Sequence, residues 1–252
     1  MIGICALCQK TADLQKSHLI PKWAYKRVCQ AGISSINAPV HIAGGNALYT
    51  NKQTTRNTLC SACEQRFCIS EDYVSSLTET RNGQIKIFSQ ISRMDTPKKV
   101  LAKLSNDVDV EKIVYFAASI LWRGFVMTGG CRLGPYEPKF RQYLLDESPF
   151  PIDAVISFGI LDGSSNFESY GWVSEPASTK FGPLWLHGFL MTGLVFRCFV
   201  GKALNHDLQL ISLAGPNPDK YISVLKPEQC ADFLAAVEIA GNAKHRGKLA
   251  KL

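Results

Sequence analysis

Two Cys-x-x-Cys pairs are the residues of this chain best suited to chemistry: Cys5-Ala-Leu-Cys8 and Cys60-Ser-Ala-Cys63. Each has the spacing of a zinc knuckle, in which a tight turn aims two thiolates at one ion, and two knuckles complete a closed tetrahedral site. Cys5, Cys8, Cys60 and Cys63 are therefore the expected ligands of a structural Zn²⁺. The alternative is that one pair binds nothing and is simply buried. Between the pairs lies Ser17-His18-Leu19-Ile20-Pro21. Four thiolates fill the zinc, so His18 is left over, and an imidazole near its ordinary pKa can take a proton from water at neutral pH. The alternative for His18 is a structural, hydrogen-bonding histidine. The pairs are far apart in sequence, so a shared metal staples two distant segments and its affinity contributes to folding.

Charge gathers around the same residues. The chain carries a net +7. Residues 1–66 hold Lys10, Lys16, Lys22, Lys26, Arg27, Lys52, Arg56 and Arg66 against Asp13 and Glu64, a net +6, which leaves +1 for the rest. Zinc with four thiolates lowers the first figure to about +4. Positive charge concentrated around a metal site suits a polyanion, nucleic acid first, and the alternative is a solvated basic face. Trp23 and Tyr25 interleave with Lys22, Lys26 and Arg27 directly after the histidine. Such a run can stack on bases and neutralise phosphates. Trp23 is better suited to packing a small core. Lys22, Lys26, Arg27, Lys52 and Arg56 are the candidate phosphate contacts.

The order Cys5-x-x-Cys8, His18-Leu19-Ile20-Pro21, Gly44-Gly45 and Leu59-Cys60-x-x-Cys63 resembles the HNH endonucleases of the treble-clef, or ββα-metal, type. The likeness covers residues 1 to about 70 and nothing beyond. It implies that His18 is the general base and that a second cation, Mg²⁺ or Mn²⁺, serves catalysis beside the structural zinc. Two positions depart from the family's pattern. Ser17 stands where an Asp or His ligand usually precedes the base. Glu64 stands where a His usually follows the last cysteine, and its carboxylate suits Mg²⁺ or Mn²⁺. The family's central Asn lies a few residues before the third cysteine. Asn57 is about two positions too close, and His41 and Asn46 are substitutes from the intervening loop. The resemblance implies a nucleic-acid endonuclease, with DNA favoured over RNA, of a kind found in bacterial or phage defence. The competing expectation is a degenerate, non-catalytic module that binds nucleic acid or protein.

The elements that must hold these residues follow from pattern. Ile33 to Asn57, rich in Ser, Asn, Gly and Thr, reads as a long loop or irregular hairpin between the halves of the metal site. Glu64 to about Thr80 continues the second knuckle as a helix, and a loop is expected near Asp95-Thr96-Pro97. From Val110 to Met127, Ile113, Phe116, Ala117, Ile120, Leu121 and Phe125 recur at helical spacing, with Asp107 or Asp109 as cap and Gly129-Gly130 as stop. Pro138 to Leu145 reads as a shorter helix. Ala154–Leu161, Phe167–Ser174, Leu184–Leu190, Leu194–Val200, Leu208–Leu213 and Ile222–Leu225 read as strands, and their close spacing favours an antiparallel sheet. A last helix runs from Pro227 to about Ala240, and the basic tail Lys244–Lys251 is expected to be loose. Phe181 to Val200 is long enough to span a bilayer, but Pro183, His187, Gly188, Gly193 and Arg197 suit two buried strands joined at Met191-Thr192-Gly193.

The expected fold class is α+β: a zinc-bound, HNH-like treble-clef module over residues 1–80, then a larger domain of helices and antiparallel sheet over residues 81–252. The second domain is expected to supply specificity, a protein partner or self-association. Nothing at the start reads as a signal peptide. Nine cysteines, an odd count, point to a reducing, cytoplasmic setting rather than a disulfide framework. Cys29, Cys68, Cys131, Cys198 and Cys230 are expected as buried thiols. His187, inside an apolar run, is expected as a satisfied core residue.

Overall fold

The computed structural model describes residues 1–31, 39–81, 83–94, 100–163 and 170–251. The expected loop at Asp95-Thr96-Pro97 lies outside them, as do residues 33–38 of the loop expected from Ile33 to Asn57 and residues 167–169 of the expected strand at Phe167–Ser174.

The chain starts as an antiparallel pair, Ile2–Ile4 (β1) and Thr11–His18 (β2). The turn between them carries Cys5 and Cys8. It is closed by the Gln9 amide, which donates to the Cys5 carbonyl at 2.9 Å with Gln9 at φ +59°. Helix α1 (Lys22–Ala31) follows. Val40–Ala43 (β3) and Asn46–Tyr49 (β4) form a hairpin whose two-residue turn is Gly44-Gly45. Both glycines have positive φ, as a tight hairpin turn of this length requires. Thr55–Cys60 (β5) then returns antiparallel to β2, with a bulge at Gln15/Lys16. Helix α2 (Ser61–Leu77) leaves β5 without a connecting loop, so Cys60 is its N-cap residue and Cys63 lies in its first turn.

Thr80–Arg81 (β6) and Gln84–Ile85 (β7) make a small hairpin. Ile91–Arg93 (β8) and Leu101–Leu104 (β9) lead to helix α3 (Val110–Arg123). Asp109 caps α3 by accepting from the Lys112 amide at 3.1 Å, and the helix continues as a π-helical turn over Gly124–Thr128. Gly129 stops it in the left-handed region. After α4 (Glu137–Leu144) come Ala154–Leu161 (β10), Ala177–Phe181 (β11), Leu184–Met191 (β12) and Leu194–Val200 (β13). Helix α5 (His206–Leu210), Tyr221–Leu225 (β14), helix α6 (Ala231–Gly241) and Lys244–His245 (β15) complete the chain. The main sheet has seven strands in the order β11-β12-β13-β10-β14-β9-β8.

Helix α3 is where the cysteine-bearing segment meets this sheet. Phe116 is fully buried, its ring 6.4 Å from Trp23 on α1, 5.6 Å from Phe196 on β13 and 6.3 Å from Phe189 on β12. One apolar core therefore runs from Cys5, Leu7 and Leu59 through Ile113, Phe116 and Ile120 to Ile156 and Phe196. At the end of α3, Arg123 is almost wholly buried. Its Nη1 donates to the His18 carbonyl at 2.8 Å and its Nη2 to Glu71 Oε1 on α2 at 2.6 Å. The guanidinium also lies over the Phe67 ring. One side chain thus ties β2, α2 and α3.

Several expectations need correction. Leu208–Leu213 is not a strand. Asn205 Oδ1 accepts from the Leu208 amide at 2.9 Å, and that cap starts α5. Of the strand expected at Phe167–Ser174, the described part makes only an isolated bridge, Val173 to Met191. The basic tail is not loose: β15 pairs in parallel with β4, and Arg246 Nε donates to Asn46 Oδ1 at 2.8 Å. The open edge of β4 supplies the backbone groups that order it. The sheet is antiparallel except for β10 and β14. The last helix begins at Ala231, after a 3₁₀ turn at Pro227–Gln229. Cys131, Cys198 and Cys230 are buried, but Cys29 is only partly so and Cys68 is exposed. His187 is buried with Nδ1 2.7 Å from Ser178 Oγ, while its Nε2 has no partner among the described residues. The stretch from Phe181 to Val200 is two strands joined at Thr192-Gly193, and no described helix is long and apolar enough to cross a membrane.

Replacing Arg123 with Met keeps the volume and removes the hydrogen bonds to His18 and Glu71, with the longer ones to Ser119, leaving Glu71 facing an apolar side chain. Loss of one partner of a buried pair costs about 3 kcal/mol. Urea unfolding of Arg123→Met is expected to show that loss; a midpoint within experimental error of wild type would refute the tie.

Candidate metal centre and active site

The two knuckles meet because β5 lies against β2. Register places Leu14 opposite Cys60, one residue before α2 begins. The chain end of β1 and the start of α2 thus converge, and the four Sγ atoms lie within 4.8 Å of one another. The Cys8 and Cys60 sulfurs are 3.9 Å apart. A tetrahedral zinc with Zn–S near 2.3 Å requires an S···S separation of about 3.8 Å. A disulfide requires about 2 Å, and all nine cysteines are free. The four thiols could hold a structural metal ion such as zinc.

Their surroundings suit thiolates unevenly. Burial alone raises the Cys5 thiol. The amides of Cys60, Cys8 and Leu7 outweigh it and bring the thiol down to about 7. The Cys60 amide donates to Cys5 Sγ at 3.4 Å. Cys63 is pushed far above the ordinary range, by burial first and then by the neighbouring thiols of Cys60 and Cys5. Burial also raises Cys8. A divalent cation at the centre reverses this for the whole set, because it favours the ionised form of every ligand.

His18 is the last residue of β2, paired with Thr55, and is half-buried. Burial first, then the positive charges of Lys22, Lys16 and Arg123, hold its imidazole below the usual 6.5; Glu71 opposes them. The ring is therefore neutral at pH 7, the form that can accept a proton. Ser17 is fully buried, and its Oγ accepts from the Leu59 amide at 3.2 Å. Its hydroxyl is part of the β2–β5 ladder and is turned inward, away from any ligand role beside His18.

Glu64 lies in the first turn of α2, and its Oε1 is buried without a hydrogen-bond partner among the described residues. Asn57 is exposed on β5 opposite Lys16. His41 is exposed on β3, opposite Leu48, in a different sheet from His18. Asn46 is on β4, bonded to Arg246. His41 and Asn46 therefore belong to the β3–β4–β15 sheet, while His18 and Asn57 share the β1–β2–β5 sheet. Among the described residues, the four cysteines are the only group of three or more potential ligands gathered tightly enough for one ion.

Of the expected phosphate contacts, Lys22, Lys26, Lys52 and Arg56 are exposed. Arg56 also reaches the Val126 carbonyl at 3.2 Å. Arg27 is committed: it donates to the carbonyls of Thr78 and Ser75 at the end of α2 and lies over Trp23. A cation at a helix C-terminus satisfies free carbonyls and complements the dipole.

Two residues near His18 escape sequence reasoning. Glu71 is on the same face of α2 as Glu64, seven residues on, and shares Arg123 with the His18 carbonyl. The two-turn spacing was the available signal. Arg123 gave none, because an arginine at the end of an apolar helix reads equally as an interface residue.

Compared with models of known protein families, with curated proteins and with solved structures, the chain matches none.

Metal analysis of the purified protein is expected to give one zinc per chain, lost in Cys63→Ser together with a lower melting temperature. Retention of zinc by that variant would exclude the four-thiol site. NMR titration of the His18 ring is expected to give a midpoint below 6.5. Because the folded value is the lower one, stability falls as pH drops through 6.5, where the unfolded chain takes up a proton that the folded chain resists. A midpoint above 7 would contradict the neutral base.

Proposed function

We propose that this protein is a metal-dependent nucleic-acid endonuclease of HNH-like type, built on a zinc-stapled treble clef. The observation that carries the reading is His18. It is a half-buried imidazole held neutral at the end of β2, in a segment that carries most of the chain's net positive charge. Sequence resemblance and the convergence of the two knuckles support the clef.

In this reading His18 takes the proton from the attacking water, and lowering of its pKa keeps it available in neutral solution. Lys22, Lys26 and Lys52, exposed and free to reach outward, neutralise backbone phosphates. Arg123 holds the His18 carbonyl and so fixes the end of β2. Glu64, with one carboxylate oxygen buried and without a hydrogen-bond partner among the described residues, is the residue that would hold a catalytic Mg²⁺ or Mn²⁺. Such an ion, when bound, stabilises charge on the phosphate. Ser17 takes no part beyond the sheet.

A second reading is a non-catalytic module that binds nucleic acid. It is favoured by the inward Ser17 and by the absence, among the described residues, of a second tight ligand group.

The zinc-loaded protein is expected to cut DNA or RNA with added Mg²⁺ or Mn²⁺. His18→Ala should lose about a hundredfold or more in rate with an unchanged melting temperature. Glu64→Gln should raise the metal concentration needed. If wild type cuts neither polymer with either metal, catalysis is refuted. Salt-sensitive binding that is unaffected by His18→Ala then identifies the binding module.

A further inference from the structure

A second cationic cluster lies far along the chain from the cysteines, on the main sheet. A cleft of about 370 Å³ is bounded by the β11–β12 hairpin, the end of β13 with the turn after it, and the segment leading into α4. Arg132, Lys180 and Lys202 line it together with Trp185 and Tyr136, and no acidic residue does. None of the three cations has an ion-pair partner among the described residues, although nine such pairs occur elsewhere among them. The volume is in the range of small-ligand sites.

The arrangement is built rather than incidental. Trp185 is half-buried on β12, with Lys180 Nζ 4.0 Å and the Arg132 guanidinium 5.7 Å from its ring centre. Arg132 is held in place from below: its amide donates to Ser178 Oγ at 2.8 Å, and that oxygen lies 2.7 Å from Nδ1 of the fully buried His187. Gathering three unpaired cations costs repulsion that an anion relieves. Arginine and lysine together match phosphate oxygens, and an indole face offers stacking to a base. Lys180, on an exposed flexible stem, can swing from the ring to a phosphate as a base takes its place.

We infer that this cleft binds a nucleotide group, with its phosphates between Arg132, Lys180 and Lys202 and its base against Trp185. The inference is independent of the reading of His18. The group could be a free nucleotide or one unit of a single strand, which share this chemistry.

Calorimetry on the full-length zinc protein without added divalent metal tests it, using ADP, adenosine, pyrophosphate and a thymidine hexanucleotide. ADP or the hexamer is expected to bind at least tenfold more tightly than adenosine or pyrophosphate. Lys180→Ala/Lys202→Ala, both exposed positions, should weaken that binding tenfold or more. Trp185→Phe should weaken it less than Trp185→Ala. Tighter ADP assigns a free nucleotide; tighter hexamer assigns a strand. No binding by either, pyrophosphate matching ADP, or affinity unchanged in the double lysine variant overturns the inference.

Discussion

Four sulfur atoms within 4.8 Å of one another form the constraint from which the N-terminal architecture follows. Thiolates this close repel, and burial penalises their charge, so the set is at ease only around a cation. The geometry also leaves little slack. The turn after β1 must meet the junction of β5 and α2, which requires β5 to lie along β2. That pairing puts His18 at one end of a strand and Glu64 at the start of a helix. A closed four-thiol site has no open coordination position, so a metal there can shape the surface without acting on a substrate.

A second constraint joins this unit to the rest. Arg123 is buried at the end of α3, the helix with the most buried residues, where an unpaired charge would be costly. It satisfies itself on the His18 carbonyl and the Glu71 carboxylate. The position of the candidate base therefore depends on a helix more than a hundred residues away in sequence. The same guanidinium, with Lys16 and Lys22, helps to hold the imidazole neutral. Packing and electrostatics at His18 are thus set by one group of residues. Phe116 plays the apolar counterpart, touching α1 on one side and the sheet on the other.

Positive charge is handled differently in the two halves. Near the cysteines it is plentiful, but part of it is used internally: Arg27 caps α2 and Arg56 reaches a carbonyl of the π-helical turn. On the main sheet the net charge is small, yet Arg132, Lys180 and Lys202 stand together around an indole. Net charge by segment described the first arrangement and hid the second. Residues about fifty positions apart become neighbours only when β11, β12 and β13 are laid side by side.

The sequence by itself determined the elements whose signals are local. The knuckle spacing, the Gly44-Gly45 break, the helix at Val110 with an Asp cap at 107 or 109, and the strands at Ala154, Leu184 and Leu194 were all legible, because turns, caps and periodicity act over a few residues. Leu208–Leu213 misled because its apolar alternation competed with an Asn205 cap that a short helix needs. Lys244–His245 misled because its order comes from a strand edge two hundred residues earlier. Only the tertiary structure decided which polar groups are free and which are spent. It turned Ser17 inward, committed Arg27, separated His41 from His18 and brought Glu71 to the same guanidinium as His18. The physical reason is that burial and hydrogen-bond satisfaction belong to the packed whole, where a side chain's partner is set by which elements touch rather than by its neighbours in the chain.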